Sequence, residues 1–82
     1  MADIRFSASA SRTLRRSDKR RLIVEKIKLL AVDPLALTAN VKRLKGRSDY
    51  RLRVQNWRVI FHMDGNVLWI DEIVARGSAY ED

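Results

Sequence analysis

The sequence predicts an α+β domain of order β-α-α-β-β-β, a helical hairpin packed on a small antiparallel sheet. Three observations carry that expectation. An apolar stripe at helical spacing runs through residues 22–31. Three strand-like runs follow from residue 50, and the links between them are so short that neighbouring strands must run antiparallel. At 82 residues the chain has room for one core, so 1–82 reads as a single domain.

Taken in order, Asp3 to Phe6 alternates polar and apolar residues, which suits a first strand. Ser7 offers an N-cap for a short helix to about Arg16, with Ala10 and Leu14 turned inward. Ser17-Asp18 punctuates the chain and offers a second cap. Leu22, Ile23, Ile27, Leu30 and Ala31 then form the stripe of a second helix, with Lys19, Arg20, Lys26 and Lys28 largely off it. Asp33-Pro34 stops that helix, because the residue before proline avoids the helical region. Residues 35–40 read as a loop, and Val41 to Lys45 as a short strand or the approach to one. Gly46 to Asp49 is a turn. Tyr50–Val54, Trp57–Met63 and Val67–Val74 are the three strands. Gln55-Asn56 joins the first two, and Asp64-Gly65, a pair favoured in type I′ turns, joins the last two. One face of such a sheet must be covered, and the amphipathic helix is the available cover.

Composition narrows the function. The absence of cysteine excludes disulfides and thiolate metal sites and permits a reducing compartment. No apolar run reaches the ~20 residues of a membrane span and no signal peptide opens the chain, so the expected location is the cytoplasm, with no membrane partner. A single histidine without cysteine argues against a metal site, and no cofactor is expected. The net charge of +7 is uneven. Residues 1–58 hold sixteen Lys and Arg against five Asp and Glu, whereas residues 59–82 hold one against five. A basic majority suits nucleic acid, an anionic surface or an acidic protein. A solvated basic surface with no specific ligand explains the same balance.

Side-chain alternation sharpens the charge argument. Arg51 and Arg53 share one strand face, and a two-residue Gln55-Asn56 loop sets Arg53 opposite Arg58, roughly 5 Å apart at Cβ. Like charges in that relation cost stability, and lysine mixed with glutamate would supply solubility without clustering. Arginine binds phosphate through a planar fork of donors, and three together can stabilise charge gathering on a phosphate. His62 alternates with Arg58 and Ile60 and so falls on the arginine face, where a packed or solvated side chain is the simpler reading than a catalytic one. Trp57 falls on the opposite face, toward the core, while the register of Trp69 stays open. The basic run at 15–21 reads either as a solvated helix face or as a grip on RNA or an acidic partner. Lys42, Arg43, Lys45 and Arg47 are candidate RNA-binding residues.

The ordered set Leu44-Lys45-Gly46, Tyr50-Arg51-Leu52-Arg53-Val54, Trp57-Arg58-Val59-Ile60-Phe61, Asp64-Gly65 and Arg76-Gly77-Ser78-Ala79-Tyr80 resembles the RelE toxins of bacterial toxin–antitoxin systems. The resemblance covers essentially the whole chain, since that family also opens with a strand and a helical hairpin closed by Asp-Pro. It implies a ribosome-dependent mRNA endoribonuclease, an mRNA interferase that inhibits translation. In that chemistry the nucleotide's own 2′-hydroxyl attacks the adjacent phosphate, leaving a 2′,3′-cyclic phosphate and a free 5′-hydroxyl without metal. By position, the resemblance gives Arg51 and Arg53 the two basic sites of the first catalytic strand, Arg58 the scissile phosphate, Arg76 the terminal arginine and Tyr80 the substrate base. It implies as partners a cognate RelB-like antitoxin, the ribosome with its mRNA and rRNA, and operator DNA only through the toxin–antitoxin complex. Some members carry lysine where this chain has Arg51 and Arg53; arginine cannot serve as a base, so charge stabilisation is the expected role here. Ala75 stands where His or Pro usually precedes the terminal arginine, and the tail ends in Glu81-Asp82. Asp71 and Glu72 are candidate proton acceptors, although a strand-end ion pair with Arg58 or Arg76 is the simpler reading. The related ParE branch, which inhibits DNA gyrase by protein binding, is the alternative; it generally lacks the set Arg51, Arg53, Arg58, Arg76 and Tyr80, and a third reading is an inert member that only binds its antitoxin and operator DNA.

Overall fold

The structure, a computed structural model, describes residues 1–33, 39–44 and 49–75. Strand β1 (Asp3–Phe6) leads into α1 (Ala8–Arg16) and α2 (Arg20–Val32). Four strands follow: β2 (Val41–Arg43), β3 (Tyr50–Val54), β4 (Trp57–Asp64) and β5 (Val67–Ala75).

Local chemistry explains the helix ends. The Ser7 hydroxyl accepts from the Ala10 N–H at 3.0 Å, capping α1, and donates to the Asp71 carbonyl at 2.6 Å, tying that cap to β5. Arg15 and Arg16 occupy the last turn of α1, where the helix dipole favours cations. Ser17 is not the cap of α2. Its hydroxyl accepts from the Lys19 N–H at 3.0 Å and closes a turn, after which the helix starts from Lys19 with no side-chain cap. α2 buries Ile23, Ile27, Leu30 and Ala31 and ends at Val32, with Asp33 extended as the following proline demands.

The five strands form one sheet in the order β1-β5-β4-β3-β2. Neighbours from β2 to β5 are antiparallel, but β1 pairs parallel with β5, from Asp3 opposite Val67 to Phe6 opposite Ile70. The sheet is thus mostly rather than wholly antiparallel, and of the two readings for residues 41–45, a short strand or the approach to one, the strand is present as β2. Alternation in a sequence does not encode strand direction, and a three-residue edge strand such as β2 is too short to separate from loop. The second hairpin also turns one residue later than Asp64-Gly65 suggests. Asp64 pairs with Val67, so the loop is Gly65-Asn66. Gly65 sits at φ +60, and Asn66 is not in the left-handed region, which matches a type II′ rather than a type I′ pattern.

Both helices pack on one sheet face. Ala10, Ile23, Ile27 and Leu30 meet Leu52, Val54, Val59, Phe61, Leu68, Ile70 and Ile73. The expected inward placement of Trp57 holds: it packs against this core, and its indole N–H reaches Asp18 Oδ1 at 3.4 Å.

Candidate functional site

The other face of the sheet carries no helix among the described residues, and the arginines gather there. Arg53 lies opposite Arg58 and Val54 opposite Trp57, the register the two-residue loop requires. Arg51 lies opposite Ile60 on one side and Lys42 on the other. Lys42, Arg51, Arg53 and Arg58 therefore share a patch around Ile60, which is fully buried although it lies outside the helix-side core. Alternation puts Trp69 and Glu72 on this face too, opposite His62 and Ile60.

Within the patch the arginines differ. Arg53 is exposed and Arg51 is half-buried, but Arg58 is only 7% exposed. Arginine is seldom so deep. Its Nη1 donates to the carbonyls of Gln55 at 3.1 Å and of Trp57 at 3.2 Å. The β3–β4 turn thus holds this guanidinium, and Gln55 adopts φ +53 in doing so, a left-handed conformation that side chains other than glycine resist. A fixed, largely desolvated cation acts on a nearby anion more strongly than a solvated one, and spends little reorganisation when charge develops.

The remaining sequence candidates divide. Arg43 lies opposite Tyr50, on the other face, and does not join the patch. Lys45, Arg47, Arg76 and Tyr80 lie outside the described residues. Asp71 does not form an ion pair of the expected kind with Arg58; it meets His62, Nδ1 to Oδ2 at 2.6 Å.

That contact belongs to a group that sequence reasoning missed. Asp71 is the extra residue of a β-bulge: Ile60 pairs with Glu72 but Phe61 with Ile70. The bulge lets two consecutive residues, Asp71 and Glu72, serve the same face. Asp49 precedes Tyr50, which pairs with Phe61, so Asp49 falls across from His62. One donor atom from each of Asp49, His62 and Asp71 lies within 4.8 Å of the others. The β3–β4 register was readable from the Gln55-Asn56 loop and would have placed Asp49 beside His62; the bulge that brings Asp71 in has no sequence signal.

No helix of the described residues is long and apolar enough to cross a membrane. No family model matches the chain, and no curated protein matches it in sequence. Solved structures match its shape. A chain of the archaeal RelE–RelB complex from Pyrococcus horikoshii superposes with a TM-score of 0.78 at 23% identity, over 95% of this chain and 98% of that one. A chain of the intact RelBE toxin–antitoxin complex from E. coli gives 0.74 at 18% identity, over 95% and 99%. YafQ from E. coli gives 0.73 at 18% identity, over 92% and 93%. The fold is thus that of the RelE toxins: two helices on one face of a five-stranded, mostly antiparallel sheet. The likeness spans nearly the whole of each of these structures.

Proposed function

We propose that this chain is a type II toxin, a ribosome-dependent mRNA endoribonuclease that halts translation and is neutralised by a RelB-like antitoxin. The observation that carries the proposal is Arg58: a residue only 7% exposed, its guanidinium held by its own hairpin, opposite Arg53 on the sheet face that carries no helix among the described residues. Solubility does not call for a buried arginine facing another arginine; anion binding does.

In the proposed reaction the 2′-oxygen attacks the adjacent phosphorus as its proton is lost, and the bond from phosphorus to the 5′-oxygen breaks as that oxygen gains a proton. The products are a 2′,3′-cyclic phosphate and a 5′-hydroxyl, and no metal takes part. Arg58 would stabilise the charge added to the non-bridging oxygens, with Arg51 and Arg53 gripping the flanking backbone. Arg76 would meet the leaving oxygen, and Tyr80 would stack on or orient a base. Lys42, with Lys45 and Arg47, would extend the grip along RNA. The whole of 1–82 would act as one toxin domain, in the cytoplasm, reaching operator DNA only when bound to its antitoxin.

Primer extension on a model mRNA in a translation extract tests this reading. Discrete cuts that need both the chain and ribosomes support it. Unbroken mRNA with normal amino-acid incorporation, accompanied by loss of gyrase supercoiling, would replace it with the ParE-like alternative.

A further inference from the structure

Asp49, His62 and Asp71 converge from three neighbouring strand positions: just before β3, within β4, and at the bulge of β5. All three side chains are half-buried. The bulge is anchored from behind, since the Asp71 carbonyl accepts the Ser7 hydroxyl at the start of α1. In a chain with 17 Lys and Arg, two carboxylates and the only imidazole meet here.

We propose that Asp49, His62 and Asp71 bind one divalent transition cation of the zinc class. One imidazole nitrogen with two carboxylate oxygens suits a borderline cation with three protein ligands and an open fourth position. Hard cations such as magnesium prefer oxygen throughout. Zinc bonds of about 2.0–2.2 Å set tetrahedral donors roughly 3.4 Å apart. The His62–Asp71 contact at 2.6 Å would open by less than about 1 Å. Bound there, the cation ties β3, β4 and β5 together, as small domains without disulfides often need. The lack of cysteine and the single histidine argue against a metal in the sequence; two aspartates brought in by register and bulge supply the missing ligands.

The site does not depend on the proposed cleavage, although Asp49 and His62 lie on the sheet face that carries the arginines. His62 lies four residues along β4 from Arg58, about 13 Å away at the usual strand rise. The cation's role here is to hold the sheet.

His62 is the only histidine, so its ring signals in a proton NMR spectrum are unambiguous. The probe is zinc itself, titrated into the untagged, chelator-treated chain. The expected result is a shift of both ring C–H signals to an endpoint at one equivalent. The melting temperature should rise on the order of 10 °C at a hundredfold excess over the dissociation constant. Asp49→Asn and Asp71→Asn should each weaken binding at least about tenfold, as loss of even an outer partner of a metal-bound imidazole does. Magnesium should leave the ring signals in place. Ring signals unmoved by millimolar zinc would overturn the proposal, leaving an imidazole hydrogen-bonded to carboxylate. So would zinc affinity unchanged in both aspartate variants. If a variant fails to fold, the titration of the unaltered chain decides alone.

Discussion

On the helix-covered face of the sheet, Leu52, Val59, Ile70 and Ile73 are buried against Ile23 and Ile27, and their neighbours are apolar. On the opposite face Ile60 is equally buried, yet its strand neighbours are Arg58 and His62 and its cross-strand partners are Arg51 and Glu72. The first face is a core whose energy comes from removing apolar area from water. The second buries apolar surface among long side chains whose stems pack while their charges stay near the surface. It also keeps two arginines directly opposite each other, at a cost in stability. The comparison separates the face where the chain gains stability by burial from the face where it gives some up to keep like charges adjacent.

Substitutions on the two faces should therefore fail in different ways. Ile27→Ala, under the helices, should give the largest change in stability, about 2–5 kcal/mol by urea unfolding, because the cavity it leaves adds to the lost transfer energy. A loss under 1 kcal/mol would mean that α2 is not docked as described. On the open face, the next largest effect is expected in binding. If about three to five phosphates are neutralised, log K for single-stranded RNA should fall with log salt at a slope of roughly −2 to −3.5. A flat salt dependence would remove the electrostatic argument for that face.

Ser7 links the faces, since one hydroxyl caps α1 and holds the bulge carrying Asp71. Ser7→Ala should cost about 0.5–2 kcal/mol of unfolding free energy. It should also perturb the amide signals of Asp71 and Glu72, and an effect confined to α1 would separate cap from bulge. The smallest effect belongs to Arg53→Thr. Relieving the like charge opposite Arg58 should leave stability unchanged or raise it by a few tenths of a kcal/mol, the scale of cross-strand pairs. Marked destabilisation would show that Arg53 supports the fold rather than a ligand.

The sequence reveals what local pattern controls. Asp3–Phe6 and Tyr50–Val54 are strands at the residues alternation indicates, and Arg53 opposite Arg58 follows from a two-residue loop. What it hides is set by partners distant in the chain. Parallel pairing of β1 with β5 depends on how the helical hairpin folds back, and β2 becomes a strand only because β3 is beside it. The near burial of Arg58 reflects a guanidinium folded onto the carbonyls of its own turn, which its position in the strand does not indicate. The Asp49–His62–Asp71 group depends on a bulge between strands, where one extra residue changes which side chains share a face.

The most direct test of the central claim, that the helix-free face stabilises charge on an RNA phosphate through Arg58, is single-turnover cleavage of ribosome-bound mRNA by purified Arg58→Ala. The variant should be checked for an unchanged fold and unchanged antitoxin binding, with Arg76→Ala run alongside. The account predicts that the cleavage rate falls about 10²–10³-fold for Arg58→Ala, the usual consequence of removing one preorganised donor from a transition state. Cleavage at a near-normal rate by a correctly folded Arg58→Ala chain would contradict it.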